Sequence, residues 1–81
     1  MKSYKIYAKA TCGYCRILLQ AMIDKKKCFY VEFLDENPKL LQEKKILYNH
    51  KTVPIVILRE NGTERLIGGC TDTLKFLKKE K

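Results

Sequence analysis

The spacing of apolar residues changes twice within the first 34 residues of the chain. From Tyr4 to Ala8, apolar and more polar residues alternate at the period of two that is typical of a β-strand. The period then becomes that of an amphipathic helix, which we predict over residues 13–25. Cys28–Leu34 is rich in aromatic and β-branched residues and predicts a second strand. A strand, a helix and a strand at this spacing form a right-handed crossover, so we expect the two strands to be parallel.

The middle of the chain is predicted to contain a second helix followed by a hairpin. Asn37 before Pro38 predicts a helix start, because the Asn side chain can cap free amides and proline loses no hydrogen bond at the first helical position. Val53–Leu58 predicts a buried strand. The Asn61-Gly62 pair then predicts a tight turn into an antiparallel strand over Glu64–Ile67.

A third helix completes the predicted fold, with Thr71 or Asp72 as its N-cap. The resulting order, β-α-β-α-β-β-α, predicts an α/β fold in which three helices flank a four-stranded mixed sheet. The chain has 81 residues, of which 46% are apolar, and we expect it to form one domain, 1–81, around a single core. No apolar stretch approaches the roughly 20 residues of a membrane span, so no membrane partner is expected.

The chain is basic, with 17 Lys and Arg residues against 9 Asp and Glu residues and a formal charge of +8. The lysines are dispersed along the sequence. Their runs at Lys25–Lys27, Lys44-Lys45 and Lys78-Lys79 fall at predicted helix ends, where cations complement the helix dipole. We therefore expect no nucleic-acid partner, although a basic surface attracts anionic ligands.

Four cysteines constrain the chemistry of the chain. The first residues contain no apolar signal-peptide core, so we expect a cytoplasmic location, where cysteines serve redox or metal chemistry. Cys12 and Cys15 form a Cys-x-x-Cys pair, which is half of a common zinc site. The second half is missing, because Cys28, Cys70 and His50 stand apart from one another. We predict no metal site, and a small core residue at Cys28.

The position of the Cys-x-x-Cys pair is more informative than its spacing. Cys12 immediately precedes the first helix, where free amides and the positive end of the helix dipole favour a thiolate. Lys9 and Arg16 can add positive charge nearby. Cys15 follows one turn later on the same helix face, within reach of a disulfide. We predict that Cys12 attacks a disulfide and that Cys15, which is more buried and less acidic, displaces the mixed disulfide.

Two further segments are suited to binding an extended peptide. A proline at the head of a buried strand belongs at its first residue, and we predict a cis peptide bond between Val53 and Pro54. The amide and carbonyl of Val53 then lack strand partners and are free to pair with a peptide. Gly68–Asp72 offers amides at a helix start beside the Asp72 carboxylate, a site for a ligand carboxylate and a ligand ammonium group.

Three motifs in this order resemble the glutaredoxin family, whose members have the thioredoxin fold. The motifs are Tyr7–Cys15, Thr52–Pro54 and Gly68–Asp72, and the resemblance covers essentially the whole chain. It implies a glutathione-dependent dithiol-disulfide oxidoreductase that reduces protein disulfides and protein–glutathione mixed disulfides. Such an enzyme serves electron transport and cell redox homeostasis, and we expect a monomer. The thioredoxin branch is less similar, because this chain has no Trp before the cysteine pair and no Pro within it.

The resemblance also implies a role for each matching residue, with Cys12 as the nucleophile and Cys15 as the resolving thiol. Nine residues are implied in glutathione binding: Lys9, Tyr14, Lys51, Thr52, Val53, Pro54, Cys70, Thr71 and Asp72. Among them, Lys9 and Lys51 would meet the glycine carboxylate, and Val53 would pair with the backbone of the glutathione cysteine.

The other end of glutathione would lie against the Gly68–Asp72 motif. By resemblance, Thr71, Asp72 and the Cys70 amide hold the γ-glutamyl end, and Tyr14 lines the groove. Glutathione is a short extended peptide with two carboxylates and one ammonium group. A basic groove that contains one acid therefore suits it.

One residue departs from the family pattern. Dithiol members usually have Pro where this chain has Gly13, and Gly also occurs in the monothiol branch, whose members often carry iron–sulfur clusters. That branch has Ser in place of the second cysteine, so the presence of Cys15 favours the oxidoreductase. The alternative function is a [2Fe-2S] cluster carrier, in which Cys12 from each of two subunits and the thiols of two glutathiones bind the cluster.

Overall fold

The computed structural model describes residues 2–80. Seven elements follow one another in the predicted order. They are β1 (Lys2–Ala8), α1 (Gly13–Asp24), β2 (Phe29–Phe33), α2 (Pro38–Leu47), β3 (Ile55–Glu60), β4 (Thr63–Gly68) and α3 (Cys70–Lys79). None of these helices has both the length and the apolar character that a membrane crossing requires.

The strands form one mixed sheet in the order β2-β1-β3-β4. β1 and β2 are parallel, as the crossover length predicts, with Tyr4 opposite Phe29 and Ala8 opposite Phe33. β3 is antiparallel to β1, and β4 is antiparallel to β3. These directions place the ends of β1, β2 and β4 and the start of β3 at one edge of the sheet.

The core lies on both faces of the sheet. α1 and α3 pack on one face, where Ile6 and Val56 are fully buried. α2 covers part of the other face, where Leu41 packs with Ile57. Because successive residues of a strand point to opposite faces, residues 55–58 are all buried between the two layers, which explains why β3 is an unbroken apolar run.

The start of α3 differs from the prediction. Thr71 and Asp72 were candidates for the N-cap, and both assignments are wrong because the helix begins at Cys70 with Gly69 as its N-cap. Gly68 has a φ of +131°, a conformation that glycine adopts readily and other residues do not. This residue turns the chain from β4 into α3 earlier than expected, so Thr71 and Asp72 lie in the first helical turn.

Two other element boundaries, the start of α2 and the ends of β3, show what local sequence patterns do and do not determine. α2 begins as predicted: Pro38 is its first residue, and the Asn37 side chain accepts a hydrogen bond from the Leu40 amide at 3.2 Å. β3 begins at Ile55 and extends to Glu60, two residues later at each end than predicted. The added residues at its end pair with the start of β1, a contact that local periodicity does not reveal.

Cys28 is not a core residue, and the prediction that it would be one is wrong. It is exposed, in the connection that precedes β2, and β2 is an outermost strand of the sheet. Its carbonyl accepts a hydrogen bond from the Tyr4 amide at 3.0 Å. In the predicted strand segment, Phe29 and Val31 pack against the core beneath α1 and α3, and Leu34 is buried on the other face of the sheet.

Candidate active site

The candidate site lies at the sheet edge where four chain segments meet. Cys12 follows β1, and Asp35 follows β2. Val53 precedes β3, and Cys70 follows β4. The strand directions therefore bring together residues that are up to 58 positions apart, and every predicted motif contributes to the same end of the molecule.

Cys12 is the N-cap of α1 and is half-buried, with an extended backbone of φ −92° and ψ 121°. Burial alone would raise the pKa of its thiol. The nearby Cys15 amide and thiol, the Tyr14 amide and the charge of Lys9 together lower this pKa by more than burial raises it, and within residues 2–80 no side-chain hydrogen bond caps this helix end. The pKa of Cys12 consequently lies below its ordinary value of 9.0, through the helix-start effect that the sequence predicts.

Cys15 is the chemical opposite of Cys12, as predicted. It is fully buried among the side chains between α1 and the sheet. Burial raises the pKa of the Cys15 thiol to about 11, and the neighbouring Cys12 and Cys70 act in the same direction. At neutral pH the pair therefore offers one reactive thiolate, at Cys12, and one protonated thiol behind it.

A groove of about 310 Å³ lies between the first turn of α1 and the first turn of α3. It is lined by Tyr14, His50, Thr52, Val53, Gly69, Cys70, Thr71 and Asp72. Six of the nine residues predicted to bind glutathione are among them. Cys12 adjoins the groove, because its Sγ lies 3.9 Å from the carbonyl oxygen of Val53.

The wall of the groove beside Cys12 is the backbone of Val53. The peptide bond between Val53 and Pro54 is cis, as predicted. Neither the amide nor the carbonyl of Val53 has a backbone hydrogen-bond partner within residues 2–80. This wall can pair with the backbone of an extended ligand.

The opposite wall is the start of α3. No side chain caps this helix end, so its first amides face the groove without an internal partner. The Asp72 carboxylate lies against Gly68, where a methyl group would come within 2.6 Å of Asp72 Oδ2. Asp72 is exposed and has no hydrogen bond or ion pair with any other residue that the structure describes. One carboxylate and several amides are therefore open to a ligand of mixed charge.

The remaining predicted residues lie around the groove rather than on its surface. Pro54 is buried beneath it. Lys9 is half-buried, close enough to Cys12 for its charge to lower the pKa of that thiol. Lys51 is exposed and lines a second hollow, of about 450 Å³, along the end of α2, and His50 belongs to the walls of both.

His50 is a residue whose position the sequence did not reveal. The sequence pattern bears on His50 only as a possible zinc ligand, yet the residue lines the groove, with Nδ1 at 2.9 Å from the carbonyl oxygen of Thr52. Its ring also faces Gly69, where a methyl group would lie 3.4 Å from the ring. The available signal was its place just before Lys51, within the segment that leads into the Val53-Pro54 motif.

Asp35 is the second residue that the sequence did not connect with the site. Its carboxylate accepts a hydrogen bond from the Ala10 amide, in the loop that leads to Cys12, at 2.8 Å. The predicted parallel pairing of the first two strands implies this contact, because the residues that follow two adjacent parallel strands are neighbours in space. Arg16, predicted to add positive charge near Cys12, donates from Nε to the Ala10 carbonyl at 3.1 Å.

A Cys-x-x-Cys pair at the start of a helix, on a four-stranded mixed sheet with three helices, defines a thioredoxin-like thiol–disulfide oxidoreductase. The sequence model of the glutaredoxin family matches residues 5–62, and the chain belongs to that family. No curated protein sequence gave a significant match to the chain.

Solved structures are similar over nearly the whole chain. A wheat glutaredoxin is 24% identical with a TM-score of 0.79, over 93% of this chain and 70% of its own. A dithiolic glutaredoxin from Trypanosoma brucei brucei is 28% identical with a TM-score of 0.73, over 93% of this chain and 76% of its own. A malarial protein is 19% identical with a TM-score of 0.60, over 98% of this chain and 96% of its own. These similarities agree with the predicted thioredoxin-like fold.

Proposed function

We propose that this protein is a glutathione-dependent dithiol-disulfide oxidoreductase that reduces glutathionylated proteins and protein disulfides. The observation that carries the proposal is the position of the acidic Cys12 thiol beside an open groove, with the Val53 amide and carbonyl, which lack backbone partners within residues 2–80, on one wall and the exposed Asp72 carboxylate on the other. A tripeptide with two carboxylates and one ammonium group matches this arrangement. We propose the cytoplasm as the location, because glutathione is kept reduced there.

In the proposed complex, glutathione extends across the groove. Val53 pairs with the backbone of the glutathione cysteine, which sets the glutathione sulfur beside Cys12. The first amides of α3 bind the γ-glutamyl carboxylate, and Asp72 binds the ammonium group. Lys9 and Lys51 lie toward the glycine end, where positive charge favours the second carboxylate.

Reduction of a glutathionylated protein needs only Cys12. Its thiolate attacks the glutathione sulfur, a new sulfur–sulfur bond forms to Cys12, and the protein thiolate leaves and is protonated by solvent. A second glutathione thiolate then attacks the bound glutathione sulfur. Glutathione disulfide leaves, and the Cys12 thiolate is regenerated.

Reduction of a protein disulfide uses both cysteines. Cys12 attacks one sulfur of the substrate, forms a mixed disulfide and releases one protein thiolate. Cys15 then loses its proton, attacks the Cys12 sulfur and expels the second protein thiolate, which leaves a disulfide between Cys12 and Cys15. Two glutathiones reduce this disulfide and depart as glutathione disulfide. The raised pKa of Cys15 keeps its thiol protonated at neutral pH, so Cys12 is the cysteine of the pair that attacks the substrate first.

The test is reduction of a small glutathione mixed disulfide, coupled to glutathione reductase and NADPH. We expect rapid turnover by the wild-type protein and none by Cys12→Ser. Cys15→Ser should retain activity on glutathione mixed disulfides and lose most of its activity on protein disulfides. Negligible turnover by the folded, reduced wild-type protein would contradict the proposal.

The [2Fe-2S] cluster carrier remains the alternative function, and it requires different ligands from the oxidoreductase. No group of three or more His, Cys, Asp or Glu side chains suited to a metal ion exists within residues 2–80. A shared cluster needs only Cys12 from each chain and the thiols of two glutathiones, so this observation does not bear on it. Open space surrounds the position of a Cβ on Gly13, so no contact within residues 2–80 requires glycine there. Anaerobic protein that stays colourless and monomeric with iron, sulfide and glutathione would remove this alternative.

A further inference from the structure

The loop that presents Cys12 consists of the four residues 9–12 between β1 and α1. Two side chains from outside the loop form hydrogen bonds with the backbone of Ala10, one with its amide and one with its carbonyl. The Ala10 amide donates to Asp35 Oδ1 at 2.8 Å, and the Ala10 carbonyl accepts from Arg16 Nε at 3.1 Å. The loop is therefore fastened at Ala10 by the segment after β2 and by the first turns of α1.

Asp35 holds the loop with both carboxylate oxygens. Its second oxygen accepts from the Thr11 hydroxyl at 3.4 Å. The hydrogen bond from the Ala10 amide is the main cause that lowers the pKa of Asp35, so the anchor is a carboxylate at neutral pH. Asp35 itself stands on fixed backbone, because the preceding residue, Leu34, is buried and donates its amide to the Ala8 carbonyl at 2.9 Å.

The geometry of Cys12 depends on this loop. The Cys12 amide donates to the Lys9 carbonyl at 3.1 Å, so Ala10 and Thr11 form the short arc that sets where Cys12 enters α1. In that position Cys12 is the N-cap of α1, with its sulfur near the Tyr14 and Cys15 amides, which lower the pKa of its thiol. A loop without its anchor would let the sulfur move away from those amides.

We propose that Asp35 is a positioning residue for thiol exchange: its carboxylate fixes the backbone of Ala10 and Thr11 and thereby keeps the Cys12 sulfur on the amides at the start of α1. The inference rests on the proposed function in one respect, that Cys12 is the nucleophile. The negative charge of Asp35 by itself disfavours a nearby thiolate. Loss of the hydrogen bonds to the loop should therefore raise the pKa of Cys12, whereas loss of the charge alone should lower it. The two directions make the positioning role testable.

The test is the pH dependence of alkylation of Cys12 by iodoacetamide, read by mass spectrometry on the peptide that contains Cys12. The variants are Asp35→Ala, which removes the anchor, and Asp35→Asn, which keeps one acceptor oxygen for the Ala10 amide. Asp24→Ala is the matched control, because Asp24 is an exposed acid at the far end of α1 that contacts Gln20.

The other titratable groups that face Cys12 are unchanged in all three variants. They are Lys9 from the loop, Cys15 from α1 and Cys70 from α3.

With Asp35→Ala we expect the midpoint of alkylation to rise by about one pH unit, which is roughly a tenfold loss of thiolate below the midpoint. Asp35→Asn, which keeps an acceptor for the Ala10 amide and loses the charge, should leave the midpoint unchanged or lower it, and Asp24→Ala should leave it unchanged. A midpoint that is unchanged or lower in folded Asp35→Ala would overturn the inference, and a lower one would show that only the charge acts.

Folding and chemistry are separated by two further readings. Circular dichroism reports whether Asp35→Ala folds. If it does not, Asp35→Leu, which has a similar shape and no acceptor oxygen, takes its place: a higher midpoint supports the inference, and an unchanged or lower one overturns it. Alkylation requires no glutathione, so the test remains readable even if the groove does not bind glutathione. A wild-type Cys12 midpoint at or above 9.0 would instead refute the nucleophile assignment before any variant is made.

Discussion

α3 has a carboxylate near each end, and the two have opposite surroundings. Asp72, in its first turn, is exposed at the groove and has no polar partner within residues 2–80. Glu80, just after its last turn, has a side chain that is only 10% exposed. It accepts hydrogen bonds from Lys2 Nζ at 2.6 Å and from the Tyr4 hydroxyl, and it pairs with Lys27 Nζ at 3.3 Å.

The difference separates an acid that holds the fold from one that is open to a ligand. Burial raises the pKa of Glu80, but the hydrogen bonds from Lys2, Tyr4 and Lys27 lower it to about 2. Burial, followed by the contact with Glu80, also raises the pKa of Tyr4 well above its ordinary range. This cluster joins the end of α3 to the start of β1 and to the connection after α1. Asp72 makes no such contacts within residues 2–80, so its carboxylate oxygens are available to a ligand.

The largest expected effect is the pH dependence of the stability that Glu80 provides. Its pKa in the folded chain lies below its ordinary value of 4.5, so the contribution is complete above pH 4.5 and is lost as the pH falls toward 2. The loss should reach at most about 3 kcal/mol. Urea unfolding of wild type and Glu80→Gln across this range measures it. A stability difference between the two proteins that does not narrow on acidification would contradict the assignment.

At neutral pH, Glu80→Gln should lower the free energy of unfolding by about 2 kcal/mol, because a mostly buried, charge-assisted set of hydrogen bonds loses its anion. Turnover per folded molecule should not change, since Glu80 lies at the opposite end of α3 from the groove. Lys2→Met is a partial control that removes only one of the partners. A loss below about 0.5 kcal/mol in Glu80→Gln would mean that the cluster does not fasten α3.

Asp72→Asn should show the reverse pattern. We expect the KM for a glutathionylated substrate to rise about tenfold with a smaller change in kcat, because a binding contact is lost. The free energy of unfolding should change by less than about 0.5 kcal/mol. Asp24→Asn serves as the matched substitution away from the groove. An unchanged KM in Asp72→Asn would show that the free carboxylate does not bind substrate.

The smallest expected effect concerns a buried hydroxyl between the two acids. Thr73 Oγ1 is fully buried and has no hydrogen-bond partner within residues 2–80. Thr73→Val keeps the side-chain shape and removes the unpaired group, so it should stabilise the chain by up to about 1 kcal/mol in thermal unfolding. Thr73→Ser, which keeps the hydroxyl and loses the methyl group, should destabilise it. Destabilisation by Thr73→Val would indicate that the hydroxyl has a partner.

The fold could be predicted from sequence because its signals are local and agree with one another. The change of apolar period around residue 13 predicts β1 and α1, and their spacing to β2 predicts the parallel pairing. Asn61-Gly62 predicts the hairpin between β3 and β4. Where two local solutions were available, as at Gly68-Gly69, the sequence could not decide which residue begins α3.

The site could be predicted as motifs but not as contacts. Cys12 and Cys15 have the contrast in burial and acidity that their positions imply. Asp35 and His50 became visible only when the sheet directions brought their segments to the same edge. The role of Glu80 depends on contacts over up to 78 positions of sequence, which no local pattern contains.

The central claim is that the groove beside Cys12 recognises glutathione and does not merely expose a reactive thiol. The most direct measurement compares two mixed disulfides of one peptide, carrying either glutathione or free cysteine on the same sulfur, as substrates of the Cys15→Ser protein. We predict that the glutathionylated peptide is reduced at least about tenfold faster, because only glutathione reaches both walls of the groove. Asp72→Asn should narrow the difference. Equal rates for the two peptides would contradict the account.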